Sequence, residues 1–157
     1  MMLKIKRIYD QFINGICVTM LVLMTVVIFY QVFGRYVLGS SPSWTEEVGR
    51  YLFIWVSFLG AVIAFRKNAH LGVDFFVGYF PPALRKIADL IVTILLLIIL
   101  GIIVYYGWEM SGRVEHQVSP SLRLSMTYAY LSVPVGAFLM MIEILWNQFY
   151  VKKEGEA

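Results

Sequence analysis

Charge is scarce in this chain. Of its 157 residues, 15% are charged and 60% are apolar, where an ordinary soluble domain runs near a quarter charged and about half apolar. Small bodies bury the least of their surface, so an apolar surplus of this size argues against a soluble globular domain. Cysteine is almost missing. Cys17 alone excludes an internal disulfide and any multi-cysteine zinc or iron–sulfur centre. The two histidines, His70 and His116, leave little for a metal, and a bis-histidine haem bundle fails because neither lies in an apolar run. No cofactor, metal, catalytic centre or nucleic-acid partner is expected.

What is present is long apolar runs. A helix crossing the hydrocarbon layer needs about 20 mostly apolar residues. The run from Ile13 to Phe33 is uncharged and, at about 1.5 Å per residue, reaches roughly 31 Å. A second run, Tyr51 to Phe65, becomes a full span if its helix begins near Trp44 or Glu46 and holds Arg50 at the interface. The third is the most hydrophobic, centred on Leu95-Leu96-Leu97-Ile98-Ile99-Leu100. It shows no polar face at helical spacing, so it is apolar all round. The fourth carries Pro134, which spanning helices tolerate better than soluble ones. The sequence therefore predicts an all-α integral membrane protein, a single domain over residues 1–157. Its four transmembrane helices fall near 13–33, 46–65, 87–108 and 124–142.

An even number of spans puts both termini on one side. Nine of the thirteen Lys and Arg residues lie in the two tails and the second connection; Arg35, Arg50, Arg113 and Arg123 lie opposite. Positive charge concentrates on the cytoplasmic side, so both termini are placed in the cytoplasm. A cleavable signal peptide is disfavoured, since the first apolar run is about twice the usual 7–15 residues and no small-x-small site closely follows. Aromatic residues such as Tyr30, Tyr36, Trp44, Trp108 and Trp146 gather where the helices should meet the headgroups. In the second connection, apolar residues Leu71 to Phe80 alternate with His70, Asp74 and glycines before Pro81-Pro82. Two readings stay open there: an interfacial helix between spans two and three, or an extension of helix two with a short loop.

The uncharged runs 13–33, 51–65, 90–108 and 124–142 inside these spans contain no Asp, Glu, Lys, Arg or His, and Arg50 stands at the edge of the second. A transport route, proton relay or intramembrane catalyst needs such groups at membrane depth, so the interior is expected to be electrically empty. The densest polar stretch is Ser43-Trp44-Thr45-Glu46-Glu47-Val48-Gly49-Arg50. Its carboxylates and arginine could form an ion or acid/base site. The structural reading is preferred: Ser43 or Thr45 caps a helix, the glutamates complement its dipole, and Arg50 pairs with Glu46 or Glu47. His70 and Asp74 stand four apart but make a poor metal site without a third ligand. His116, beside Glu115, reads as an exposed loop residue, and Cys17 as a small apolar filler. Small residues at four-residue spacing (Ser57/Ala61, Gly60/Ala64, Ser125/Ala129, Ser132/Gly136) point to packed faces on spans two and four. The third span is left to face lipid or a broad apolar partner.

The order Gly34-Arg35-Tyr36, Ser43 to Arg50, Trp55, Leu59-Gly60-Ala61, Arg66-Lys67-Asn68-Ala69-His70-Leu71-Gly72-Val73-Asp74 and Pro81 resembles one family. It is similar to the small membrane (Q) subunit of tripartite ATP-independent periplasmic (TRAP) transporters, with the motif resemblance running from about Arg35 to Arg85. The resemblance implies a sodium-coupled importer of the bacterial inner membrane. In it a periplasmic solute-binding protein delivers an organic acid, of C4-dicarboxylate or sialic acid type, to a large multi-span membrane (M) subunit. The Q subunit would be an accessory scaffold that supports the large subunit and helps dock the binding protein. That large subunit is expected as a separate chain. On this footing Arg35, Trp44, Glu46, Glu47, Arg50, Arg66, His70 and Asp74 are candidate structural or subunit-interface residues, with no catalytic role. The alternatives are a stand-alone four-helix carrier or the membrane anchor of a redox enzyme.

Overall fold

The computed structural model describes residues 2–40, 42–68 and 82–154. The candidate interfacial segment 69–80, with His70 and Asp74, lies outside the described residues. Four long helices form: α1 (Met2–Tyr36), α2 (Ser43–Asn68), α3 (Pro82–Arg113) and, after the short α4 (Thr127–Tyr130), α5 (Ser132–Glu154). All four spanning segments are long and apolar enough to cross a membrane, α4 and α5 together supplying the fourth.

Pro134 explains the break between α4 and α5. Lacking an N–H, it cannot bond back to the Tyr130 carbonyl, whereas Leu131 and Val135 do bond four residues back, to Thr127 and Leu131. The fourth helical segment starts at Thr127 rather than 124 because Ser125 bridges to Val118 in the preceding loop. It also runs past 142, to Glu154.

The helices lie in a layer rather than a closed bundle. α1 packs along α2, α2 along α5, and α5 along α3, giving the order α1–α2–α5–α3, and among the described residues no broad contact joins α3 to α1 or α2. Burial follows that order. In the most apolar stretch of the fourth span 44% of residues are buried, against 11% in the first and third. Leucines and isoleucines such as Ile91, Leu95, Ile98 and Ile102 on α3 remain about half exposed, a surface stable in lipid or against an apolar partner.

Close approach at the centre of the layer relies on two glycines. A Cβ on Gly136 would stand 2.7 Å from Phe58 Cβ, and one on Gly107 would stand 3.0 Å from Pro134 Cδ. Ser132 is fully buried and Ala137 is 1% exposed. The small residues of the fourth span are thus the packed ones. On α2 the buried hydrophobic residues are Leu59 and Val62, while Ser57 and Ala64 are exposed and a Cβ on Gly60 would meet nothing within 4 Å. Ala61 packs against the core, so the open part of this small-residue side is the part that carries Ser57, Gly60 and Ala64.

Candidate functional site

Both described chain ends lie at one end of the layer, which is the terminal end; the loops α1–α2 and α3–α4 form the loop end. At the terminal end four ionisable side chains from three helices converge. Glu143, five residues inside the fourth span, is 1% exposed. Its Oε1 accepts a hydrogen bond from Arg66 Nε at 2.9 Å and its Oε2 accepts one from Lys6 Nζ at 3.1 Å. Arg66 Nε also stands 3.1 Å from Asp10 Oδ1, and its Nη1 donates to Asn14 Oδ1 at 3.0 Å. Lys6 Nζ lies 5.3 Å from the centre of the Trp146 ring, near enough for a cation–π contribution.

This cluster corrects the expectation of an electrically empty interior. Ending the fourth span at Ile142 stopped one residue short of a carboxylate that the structure buries. Burying a lone carboxylate costs several kcal/mol even after relaxation. Two cations and two anions meet here, so Lys6 and Arg66 offset the cost of burying Glu143. The position limits what the cluster can do. Lys6 opens the first span, Arg66 closes the second and Glu143 lies about 8 Å from the end of the fourth, so all sit near headgroup level. The central stretches 11–34, 51–65, 90–108 and 124–142 contain no Asp, Glu, Lys, Arg or His. The cluster joins α1, α2 and α5; beside it Gln148 Nε2 donates to Thr93 Oγ1 at 2.9 Å, adding α3.

The loop end gathers most of the other candidate residues. Glu47 does not pair with Arg50. Its carboxylate accepts from the backbone N–H groups of Ser121 (2.8 Å) and Leu122 (2.9 Å). It thereby fixes the tip of the α3–α4 connection to the start of α2. That connection turns tightly: Ser119 N–H donates to the Leu124 carbonyl, Arg123 N–H to the Ser119 carbonyl, and Arg123 takes a left-handed φ of 53°. Trp55 Nε1 donates to the Tyr128 carbonyl at 2.9 Å, a second tie from α2. Glu46 and Arg50 form the expected i,i+4 pair at 3.4 Å, both largely exposed. Thr45 is buried, yet its hydroxyl donates back to the Pro42 carbonyl at 2.7 Å and does not cap the helix as an acceptor. Trp44 stacks on Tyr30 at 6.3 Å between ring centres, and Arg35 is exposed at the end of α1. A cleft of 430 Å³ opens here, lined in part by Glu47, Arg50, Tyr51, Pro120 and Tyr130.

Residues 24–152 match the protein family described as tripartite ATP-independent periplasmic transporters, DctQ component. The chain belongs to this family. It is a small permease subunit of a TRAP transporter and a multi-pass membrane protein. The DctQ chain is 37% identical over 140 residues to a Haemophilus influenzae protein described as a TRAP transporter small permease, covering 89% of this chain and 87% of the relative. It is 26% identical over 149 residues to the sialic acid TRAP transporter small permease SiaQ of Vibrio cholerae, covering 95% and 86%. It is also 26% identical over 131 residues to the sialic acid TRAP transporter permease SiaT of Haemophilus influenzae. There it covers 83% of this chain but only 21% of that protein.

Of the candidate residues, Arg35, Trp44, Glu46, Glu47 and Arg50 thus lie at the loop end and Arg66 at the terminal end. Lys6, Asp10, Asn14 and Glu143 join Arg66 without having been singled out. The usable signal was Met141-Ile142-Glu143-Ile144-Leu145-Trp146, a carboxylate flanked by apolar residues before any turn residue.

Proposed function

We propose that this chain is the fixed, solute-free subunit of a sodium-coupled, binding-protein-dependent TRAP importer of organic acids, of C4-dicarboxylate or sialic acid type. One observation carries the reading. The central part of every span is free of charge, and the buried carboxylate near the terminal end is already neutralised by cations of the same chain. Sodium and an organic anion need oxygen ligands and cations at membrane depth; a large M subunit, as a separate chain, supplies them. The match to only about a fifth of SiaT supports that division, since most of that permease lies outside the matched region. The positive-inside count puts the terminal end, with both termini, in the cytoplasm and the loop end in the periplasm of the inner membrane. The half-exposed faces of α1 and α3 and the small-residue side of α2 are the surfaces available to the large subunit and to lipid. At the loop end, Trp44, Glu46 and Arg50 offer an exposed aromatic and ionic patch on which a periplasmic binding protein can dock.

The test is omission. The large subunit and the binding protein are purified with and without this chain and assayed for sodium-driven uptake in vesicles. Co-purification of this chain with the large subunit, and uptake that requires both, is the expected result. Full uptake without this chain would refute an obligatory scaffold role.

A further inference from the structure

The connection from α3 to α4 has a backbone feature that packing of the helices does not require. Residues 114–126 lie between the third span, which ends at Arg113, and the fourth, which begins at Thr127. The stretch folds back on itself. Val118 and Ser125 form an antiparallel bridge, and Met126 N–H donates to the Gln117 carbonyl at 2.8 Å. At the turn Arg123 takes φ 53°, the one described residue other than glycine in the left-handed region. Glycine enters that region freely; a residue with a Cβ stays there only where its surroundings over-determine the backbone. They do so here. Arg123 N–H donates to the Ser119 carbonyl at 3.1 Å, and Leu124 N–H donates to Ser119 Oγ at 3.3 Å. Glu47 holds the two preceding amides, those of Ser121 and Leu122.

Glu47 thereby brings two arginines to one patch. Arg50 follows it by about one turn of α2, and Arg123 is the residue after Leu122. Glu47 and Arg50 line the same cleft as Ser119 and Pro120. The two arginines differ in what they have left to offer. Arg50 pairs with Glu46, as Arg113 pairs with Glu109. Arg123 is exposed, and no described carboxylate pairs with it. Its planar fork of N–H groups matches a carboxylate, which accepts two parallel hydrogen bonds from it. A lipid phosphate could accept from the same fork, but a diffusing headgroup gains little from a fixed turn. A folded protein partner gains affinity from one, because no loop has to be ordered on binding.

We infer that Arg123 is a docking anchor for a carboxylate on the surface of the periplasmic solute-binding protein. Glu47 is its positioning residue, holding the turn in the conformation that presents the guanidinium. The inference rests on the importer reading and on the loop end facing the periplasm. It adds a cation from the α3–α4 connection to the patch of Trp44, Glu46 and Arg50, and it assigns the partner's contacting group as acidic.

The experiment measures affinity of the solute-binding protein for the full chain co-purified with the large subunit, in nanodiscs of phosphatidylcholine. R123G keeps a residue that accepts the left-handed φ, so amide exchange at Ser121 and Leu122 should match wild type. Its affinity should nevertheless fall about 30-fold, the loss typical of an interface hot spot. R123Q, which removes the charge and keeps a side chain, should lose as much. R113Q, at an arginine already paired at the same end, should bind as wild type does. Added salt should weaken the wild-type complex more steeply than the R123G complex. E47A should weaken binding in the wild-type background and add little in R123G, since a residue that acts through Arg123 is not additive with its loss. Wild-type affinity in R123G or R123Q, or an equal loss in R113Q, would overturn the inference and leave the importer reading standing. Failure of the wild-type complex to bind the solute-binding protein at all would overturn the docking reading, and this inference with it.

Discussion

Removing the Glu143 carboxylate leaves Lys6 with no acid among the described residues and Arg66 with Asp10 alone. Breaking a buried pair from one side costs about 3–5 kcal/mol, because the remaining charge is stranded. Glu143→Ala should therefore lower the unfolding midpoint sharply. Adding Lys6→Met and Arg66→Met should recover much of the loss, since an apolar replacement of a whole buried cluster is often neutral. An unchanged midpoint in the single variant would show that the carboxylate is not held as described. At the loop end two adjacent glutamates separate into different tasks. Glu47→Ala should release the α3–α4 connection, raising amide exchange at Ser121 and Leu122 and exposing that loop to protease. Glu46→Lys should leave the loop protected and change only what docks on the exposed Glu46–Arg50 pair. Equal loop protection in both variants would contradict the assignment. Sequence reasoning put Glu46 with Arg50 correctly, because that pair is local. Glu47's partner is 74 residues away and is a backbone N–H, which no side-chain spacing reports.

Between elements, the contact of α2 with α5 depends on Gly136. Gly136→Val would drive a methyl-bearing carbon into Phe58 and should destabilise the layer by about 1–3 kcal/mol, read as a lower unfolding midpoint. Gly60→Val has open space in this chain and should leave that midpoint nearly unchanged apart from a small gain in helix propensity. Equal effects of the two substitutions would mean that α2 packs with its other face. The four-residue spacing of small residues is the same on α2 and on the fourth span, so the sequence marks both faces as candidates. Only the fold tells which one is used inside the chain. Hydropathy found the four spans because crossing lipid requires a long apolar run whatever the neighbours. It could not give the order α1–α2–α5–α3, since a lipid-facing leucine and a packed one look alike in sequence. The buried carboxylate was lost for a related reason. A span cut at its first charge assumes that charges end at the membrane surface, whereas Glu143 is carried inward by cations from two other helices.

As a whole the molecule is an open sheet of helices, fastened by ion pairs at its terminal end and by Glu47 and Trp55 at its loop end. A small layer with its two outer helices packed on one side only has most of its apolar surface left for lipid or another subunit. The central stretches of the four spans carry no Asp, Glu, Lys, Arg or His. The most direct measurement is uptake of a labelled sialic acid or C4-dicarboxylate, under a sodium gradient and with the binding protein present. It compares vesicles containing this chain alone with vesicles that also contain the large subunit. Background uptake with this chain alone and gradient-dependent uptake with the pair is the expected outcome. Sodium-driven accumulation by this chain without a second membrane polypeptide would contradict it.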